Sequence, residues 1–157
     1  MSLIGRAPIN PVVFASGKLA LYAALFSMML QAGGVNARTA HVPESLSSLA
    51  VFGAAFGVAI ILAGILHLGD STRFGLPTEE TRLKTGGLYR FSRNPIYLGF
   101  YIWTISAITY TLNPAVTLLG LYGMLVHHRI VLTEEKFLEK RFGADYEDYR
   151  RKVGRYI

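Results

Sequence analysis

Apolar residues fall into four uninterrupted blocks along the chain. Leu19 to Val35 is 17 residues without a charge, and Leu46 to Leu68 is 23 residues whose only ionisable side chain is His67. Pro95 to Leu112 adds 18 residues, and Pro114 to Val126 adds 13 before the polar triplet His127-His128-Arg129. At about 1.5 Å per residue, a helix of about 20 residues crosses a hydrocarbon core of roughly 30 Å. The pattern therefore predicts about four transmembrane helices and no strands. Lys18 stands at the start of the first block, where its long stem can snorkel to the interface. Leu112-Asn113-Pro114 reads as a tight turn, making the third and fourth helices antiparallel neighbours.

Composition sharpens this picture. In 157 residues, 52% are hydrophobic and 17% charged, and mean hydropathy is +0.36. A soluble domain carries about 25% charged residues. The length suits a single membrane domain, with two spans in residues 1–69 and a more polar half in residues 70–157. Sixteen Lys and Arg against ten acids give a net charge of +6. Nucleic acid would be one reading of that charge, but its placement favours a membrane surface and no nucleic-acid partner. In a four-span arrangement fifteen of the sixteen cations lie on one side, with only Arg38 on the other. Both termini and the long connection Gly69–Asn94 are then expected in the cytoplasm. Small residues around Ala37 leave a cleaved leader open, against which Lys18 interrupts the apolar stretch. The absence of cysteine excludes disulfides, thiolate metal sites and Cys nucleophiles.

Two local patterns concern packing. Gly53-Ala54-Ala55-Phe56-Gly57 is a GxxxG motif that lets another backbone approach closely, from this chain or across a homodimer. After Gly143, the spacing of Phe142, Tyr146, Tyr149 and Val153 among basic residues predicts an amphipathic helix on the anionic leaflet.

Candidate chemistry concentrates on the cytoplasmic side. Thr85-Gly86-Gly87 permits close approach of a ligand, and Arg93-Asn94-Pro95 opens a helix whose first N–H groups suit a carboxylate or phosphate. If the fourth helix continues past the membrane surface, Glu134 shares an apolar face with His127, Ile130, Phe137 and Leu138. A carboxylate there is a functional candidate, or the partner of Arg93 or Arg90 in an ion pair that pins the helix. The spacing supports both readings equally. His127 and His128 lack the i, i+4 spacing of a metal pair, so no metal site is expected. No G-x-G-x-x-G follows a strand pattern, and no G-x-S-x-G is present, which excludes a Rossmann-type cofactor domain and an α/β-hydrolase nucleophile.

The run Thr81-Arg82-Leu83-Lys84-Thr85-Gly86-Gly87-Leu88-Tyr89, continuing through Arg93-Asn94-Pro95-Ile96-Tyr97-Leu98-Gly99, resembles the signature of the integral-membrane methyltransferases. That superfamily joins isoprenylcysteine carboxyl methyltransferases and phospholipid N-methyltransferases. Glu134-Glu135, Phe142-Gly143, Tyr146 and Tyr149 match its second half, so the likeness covers Asp70 to Ile157. It implies S-adenosyl-L-methionine as cofactor, in a pocket lined by Thr81, Arg82, Leu83, Lys84, Tyr89, Asn94, Pro95, Ile96, Tyr97 and Glu134. A lipophilic or small-molecule methyl acceptor would enter from the membrane lipids, with Arg93, His127 and Glu135 as candidates for catalysis, the last two as bases. Two positions depart from the pattern. The family's His is Asn94, which cannot titrate. The Arg that prenylcysteine enzymes carry four residues before the first Glu is Ile130, which speaks against a prenylcysteine substrate. Membrane sterol reductases using NADPH resemble the same half but are much longer. A four-span transporter or binding protein is the non-enzymatic alternative.

Overall fold

The computed structural model describes residues 9–68 and 83–157. Among these residues it is entirely helical. Helices α1 (Pro11–Ala32), α2 (Glu44–Leu68), α3 (Pro95–Thr111) and α4 (Pro114–Phe142) form an up-and-down bundle, followed by the short α5 (Ala144–Lys152). A single 3-10 turn, Gly87–Arg90, precedes α3. Three helices, α1, α2 and α4, are long and apolar enough to cross a membrane. At 17 residues α3 is about 26 Å long, just under the span of the hydrocarbon core. The outward faces carry bare apolar side chains such as Phe26, Phe52, Leu66, Leu118 and Leu125, as lipid contact requires. The chain is an integral membrane protein.

Each helix starts where its local sequence dictates. The Asn10 carboxamide accepts the N–H groups of Val12 and Val13 at 2.9 and 3.4 Å, and Pro11 takes the first helical position. Asn113 does the same for α4, with 2.9 Å to Ala115 N. Between α3 and α4, Leu112 adopts a left-handed conformation at φ 44°, which closes the predicted turn.

The first helix corrects the expectation of a span opening at Leu19. It begins eight residues earlier, at Pro11, because an Asn cap and a proline set a helix start whereas a lysine does not end one. Lys18 therefore lies in the body of α1, not at its entry.

Helix pairing follows small residues. A Cβ on Gly57 would lie 2.7 Å from the Gly99 carbonyl oxygen, and one on Gly99 would lie 2.6 Å from the Gly57 carbonyl. Gly53 faces Ser106 and Gly64 faces Ile96, so α2 and α3 run antiparallel in close contact. The GxxxG motif is thus filled by α3 of the same chain. Of the two partners the motif leaves open, a helix of the same chain occupies the Gly57 face. Helices α1 and α4 pair likewise, Gly17 against Val126 and Gly123 against Leu21. Although α3 and α4 are joined by a tight turn, each packs more extensively on one of the first two helices than on the other.

One end of the bundle is closed by a polar corner. Arg38 donates to Tyr110 O and to Ser47 Oγ, both at 3.0 Å, while Asn113 Nδ2 donates to Ala37 O at 2.9 Å. The opposite end gathers the start of α1, the end of α2, the start of α3, the end of α4 and the C-terminal segment. There Gly87, at φ 60°, sits directly against the His67 ring, where a side chain could not fit.

The C-terminal helix also departs from expectation. Tyr146 and Tyr149 are buried, and the Tyr149 hydroxyl donates to Tyr89 O at 2.6 Å. The aromatic face of α5 is spent on the protein's own interior instead of the leaflet, with the Tyr149 hydroxyl bonded to the 3-10 turn and the Tyr146 ring buried edge-on to that of Tyr149. Its Arg150, Arg151 and Lys152 stay exposed.

Candidate functional site

The polar end is organised by the dipeptide Arg93-Asn94. The following proline keeps Asn94 out of the helical region, and at φ −134°, ψ 56° it turns the chain into α3 without capping it through its side chain. That carboxamide donates to Glu135 Oε1 at 3.0 Å and to Arg155 O at 3.2 Å. Arg93 donates to the same Glu135 oxygen from Nη2 at 3.0 Å and from Nε at 3.3 Å. Its third nitrogen reaches Val153 O at 2.7 Å. Arg155 completes the cluster, with Nε and Nη2 at 3.0 and 2.9 Å from Glu135 Oε2. Glu135 is therefore gripped by two guanidinium groups and an amide, with its own side chain 9% exposed and that of Arg93 7%. This clasp fastens the chain's last residues onto the entrance of α3. Tyr156 extends it, with its hydroxyl 2.8 Å from His128 Nδ1 and 3.2 Å from Tyr101 Oη.

One residue earlier, Glu134 looks in another direction. The Tyr97 hydroxyl lies 3.0 and 3.1 Å from its two oxygens, and a single proton serves that pair. A carboxylate offers about four lone-pair positions, so Glu134 keeps capacity for a further donor. The Tyr97 ring meets the edge of His127, centroids 6.0 Å apart. His127 Nδ1 lies 2.8 Å from Gly123 O. A carbonyl only accepts, so Nδ1 carries the proton and Nε2 of the neutral ring holds the lone pair. The Glu134 carboxylate is felt by Tyr89, whose phenol is pushed up to about 12 by burial first and by that charge second. It is also felt by the ammonium of Lys18 on α1. Because Asn94 does not cap α3, the first-turn N–H groups of Ile96 and Tyr97 have no side-chain acceptor among the described residues.

The structure thus brings Tyr89, Tyr97, His127 and Glu134 around one locus. Asn94 and Pro95 form its floor at the start of α3, and Ile96 packs toward Gly64 of α2. Leu83 and Lys84 are half-buried and lead into the 3-10 turn. Thr81 and Arg82 lie outside the described residues. The ion pair that the sequence offered to Glu134 is made by Glu135, a correction of one residue. Helical periodicity sets Glu135 about 100° round from Glu134, but α5 and the tail cover that flank as well. Sequence reasoning missed the part of Arg155 in this clasp, since no spacing rule could link it to a carboxylate 20 residues away.

Fold and site together define a membrane-embedded helical protein with a polar end built from the entrance of α3 and the exit of α4. The chain belongs to the phospholipid methyltransferase family, which it matches over residues 46–145. It is 39% identical over 98 residues to a protein-S-isoprenylcysteine O-methyltransferase of Schizosaccharomyces pombe, covering 60% of this chain and 40% of that protein. It is 37% identical over 79 residues to the protein of that name in Saccharomyces cerevisiae, covering 49% and 32%. The chain therefore spans less than half the length of these curated relatives. Its fold is similar to that of a solved eukaryotic intramembrane Ras methyltransferase, isoprenylcysteine carboxyl methyltransferase. The TM-score is 0.68 and the identity 23%, over 95% of this chain and 53% of the other.

Proposed function

We propose that the chain is an S-adenosylmethionine-dependent methyltransferase acting on a lipophilic acceptor that enters from the bilayer. The observation that carries this reading is the pairing of Glu134 with Tyr97 beside the uncapped start of α3. Glu134 has the charge and spare lone pairs to take an ammonium group, and the α3 N–H groups suit a carboxylate. A carboxylate site and an ammonium site side by side fit the amino-acid end of the cofactor. The faces of Tyr89 and Tyr97 suit its cationic sulfonium or its adenine. When bound, S-adenosylmethionine supplies a methyl carbon already activated for displacement by the sulfonium. The protein's own share is alignment and exclusion of water.

For an acceptor that must lose a proton, His127 Nε2 is the atom placed to take it. Glu135, the other candidate base, is held by two arginines and an amide, and its role is to anchor the tail. Arg93 is likewise a positioning residue, since its nitrogens are turned to Glu135 and to the backbone of the tail. Placed in the membrane by its Lys and Arg distribution, the polar end faces the cytoplasm with both termini.

The test is transfer of labelled methyl from S-adenosylmethionine into lipid-extractable material by membranes containing the chain. Label should accumulate with the parent and fall to background with Glu134→Gln. Equal incorporation by both, or by neither, contradicts the reading.

A further inference from the structure

One ionisable side chain stands in the long apolar run of the second helix, and the reaction proposed above leaves it unused. His67 lies in the last turn of α2, with Nδ1 2.7 Å from Ala63 O. A carbonyl only accepts, so Nδ1 carries a proton and donates it to the backbone of its own helix. That bond fixes the ring on α2 and leaves its opposite edge against the loop that precedes α3. A Cβ on Gly87 would collide with Cδ2, Cγ and Nε2 of this ring. Gly86 has open space at the same place among the described residues. Of the glycine pair, Gly87 is therefore taken by His67, and Gly86 is the one left open to a ligand. Gly64, one turn earlier on the same face of α2, receives Ile96. One face of α2 thus braces both segments that carry the candidate site, the 3-10 turn with Tyr89 and the start of α3 with Tyr97. On its other flank the turn is held by the Tyr149 hydroxyl on Tyr89 O at 2.6 Å. A leucine could fill the space of His67 but would lack the hydrogen bond that locks its orientation.

We propose that His67 is a positioning residue for cofactor binding, setting the 3-10 turn so that Tyr89 is in place before S-adenosylmethionine arrives. This rests on the methyltransferase reading above and adds to it a residue from the N-terminal half, outside the signature. His67 touches no ligand in this role and acts through Tyr89. A four-residue 3-10 turn has too few backbone bonds to hold its shape alone, so the brace has to come from its neighbours. A turn already in place spares the ordering that binding would otherwise cost.

The experiment reads the turn and the cofactor separately, in detergent-purified full chain. In hydrogen exchange followed by mass spectrometry, His67→Ala should exchange faster at Tyr89, Phe91 and Ser92, whose N–H groups are bonded within the turn. Exchange within α3 and α4 should be unchanged. S-adenosylmethionine affinity should fall about 3- to 10-fold, the effect of having to order one side chain and its turn on binding. In a Tyr89→Ala background the same substitution should change affinity by less than about twofold, because the residue it acts through is gone. A contact that only holds the fold together would give equal losses in both backgrounds. Should His67→Ala not fold, His67→Phe keeps the bulk of a ring without the bond to Ala63 O and carries the same expectations. Unchanged exchange, unchanged affinity, or a loss that persists without Tyr89 overturns the proposal. Failure of the methyltransferase reading shows separately, as a folded parent that binds no S-adenosylmethionine while the exchange difference remains.

Discussion

Adjacent carboxylates at 134 and 135 serve different ends. Glu135 accepts from three side chains, whereas Glu134 accepts only the Tyr97 hydroxyl among the described residues, which is why the cofactor role is proposed for Glu134. Replacing Glu134 by Gln removes the charge and little else. A hydrogen bond to a charged group contributes about 1.5–3 kcal/mol, so S-adenosylmethionine affinity should drop about 10- to 150-fold in a binding titration. Glu139→Gln, which disturbs an exposed pair with Arg150, should leave affinity within about twofold. Unaltered affinity in Glu134→Gln would make that residue a structural partner of Tyr97. At this scale the sequence was readable for Glu134, because helical spacing from His127 puts it on the inward face. It was not readable for Glu135, since one of its partners, Arg155, comes from a tail whose path depends on Gly143 and the burial of Tyr146.

Among the elements, the four helices, their order and the turn at Asn113 follow from apolar run lengths and from asparagine-proline punctuation. Boundaries did not follow where a charge lies within a helix, as at Lys18. The partner of the GxxxG motif also did not follow, since small residues advertise close packing without naming what packs. The C-terminal helix was legible as a helix and misread as surface-bound, because an aromatic stripe suits a leaflet and a protein groove equally. Its attachment is testable. Removing one partner of a buried ion pair costs about 3–5 kcal/mol. Glu135→Gln keeps the shape but leaves Arg93 with an uncompensated charge, so the thermal midpoint in detergent should fall by several degrees, while Glu134→Gln should shift it little. A midpoint unmoved by Glu135→Gln would mean that the clasp does not secure the tail.

For the whole molecule, the antiparallel pairs α1–α4 and α2–α3 bring the start of α1 and the C-terminal tail to the same end of the bundle. In the orientation proposed from the Lys and Arg distribution, that end faces the cytoplasm. An engineered Cys at Asn36 should react with an impermeant reagent on intact cells, and one at Thr85 should react only after permeabilisation. The reverse pattern would turn the site away from the cytoplasm. The natural chain has no cysteine, so background labelling is absent.

The central claim is that the polar end binds S-adenosylmethionine. Equilibrium titration of the detergent-purified chain with S-adenosylmethionine and, separately, with NADPH tests it most directly. Saturable one-to-one binding of S-adenosylmethionine, with no binding of NADPH at the same concentrations, is the predicted result. Binding of NADPH in its place, or of neither ligand by folded protein, would contradict the account.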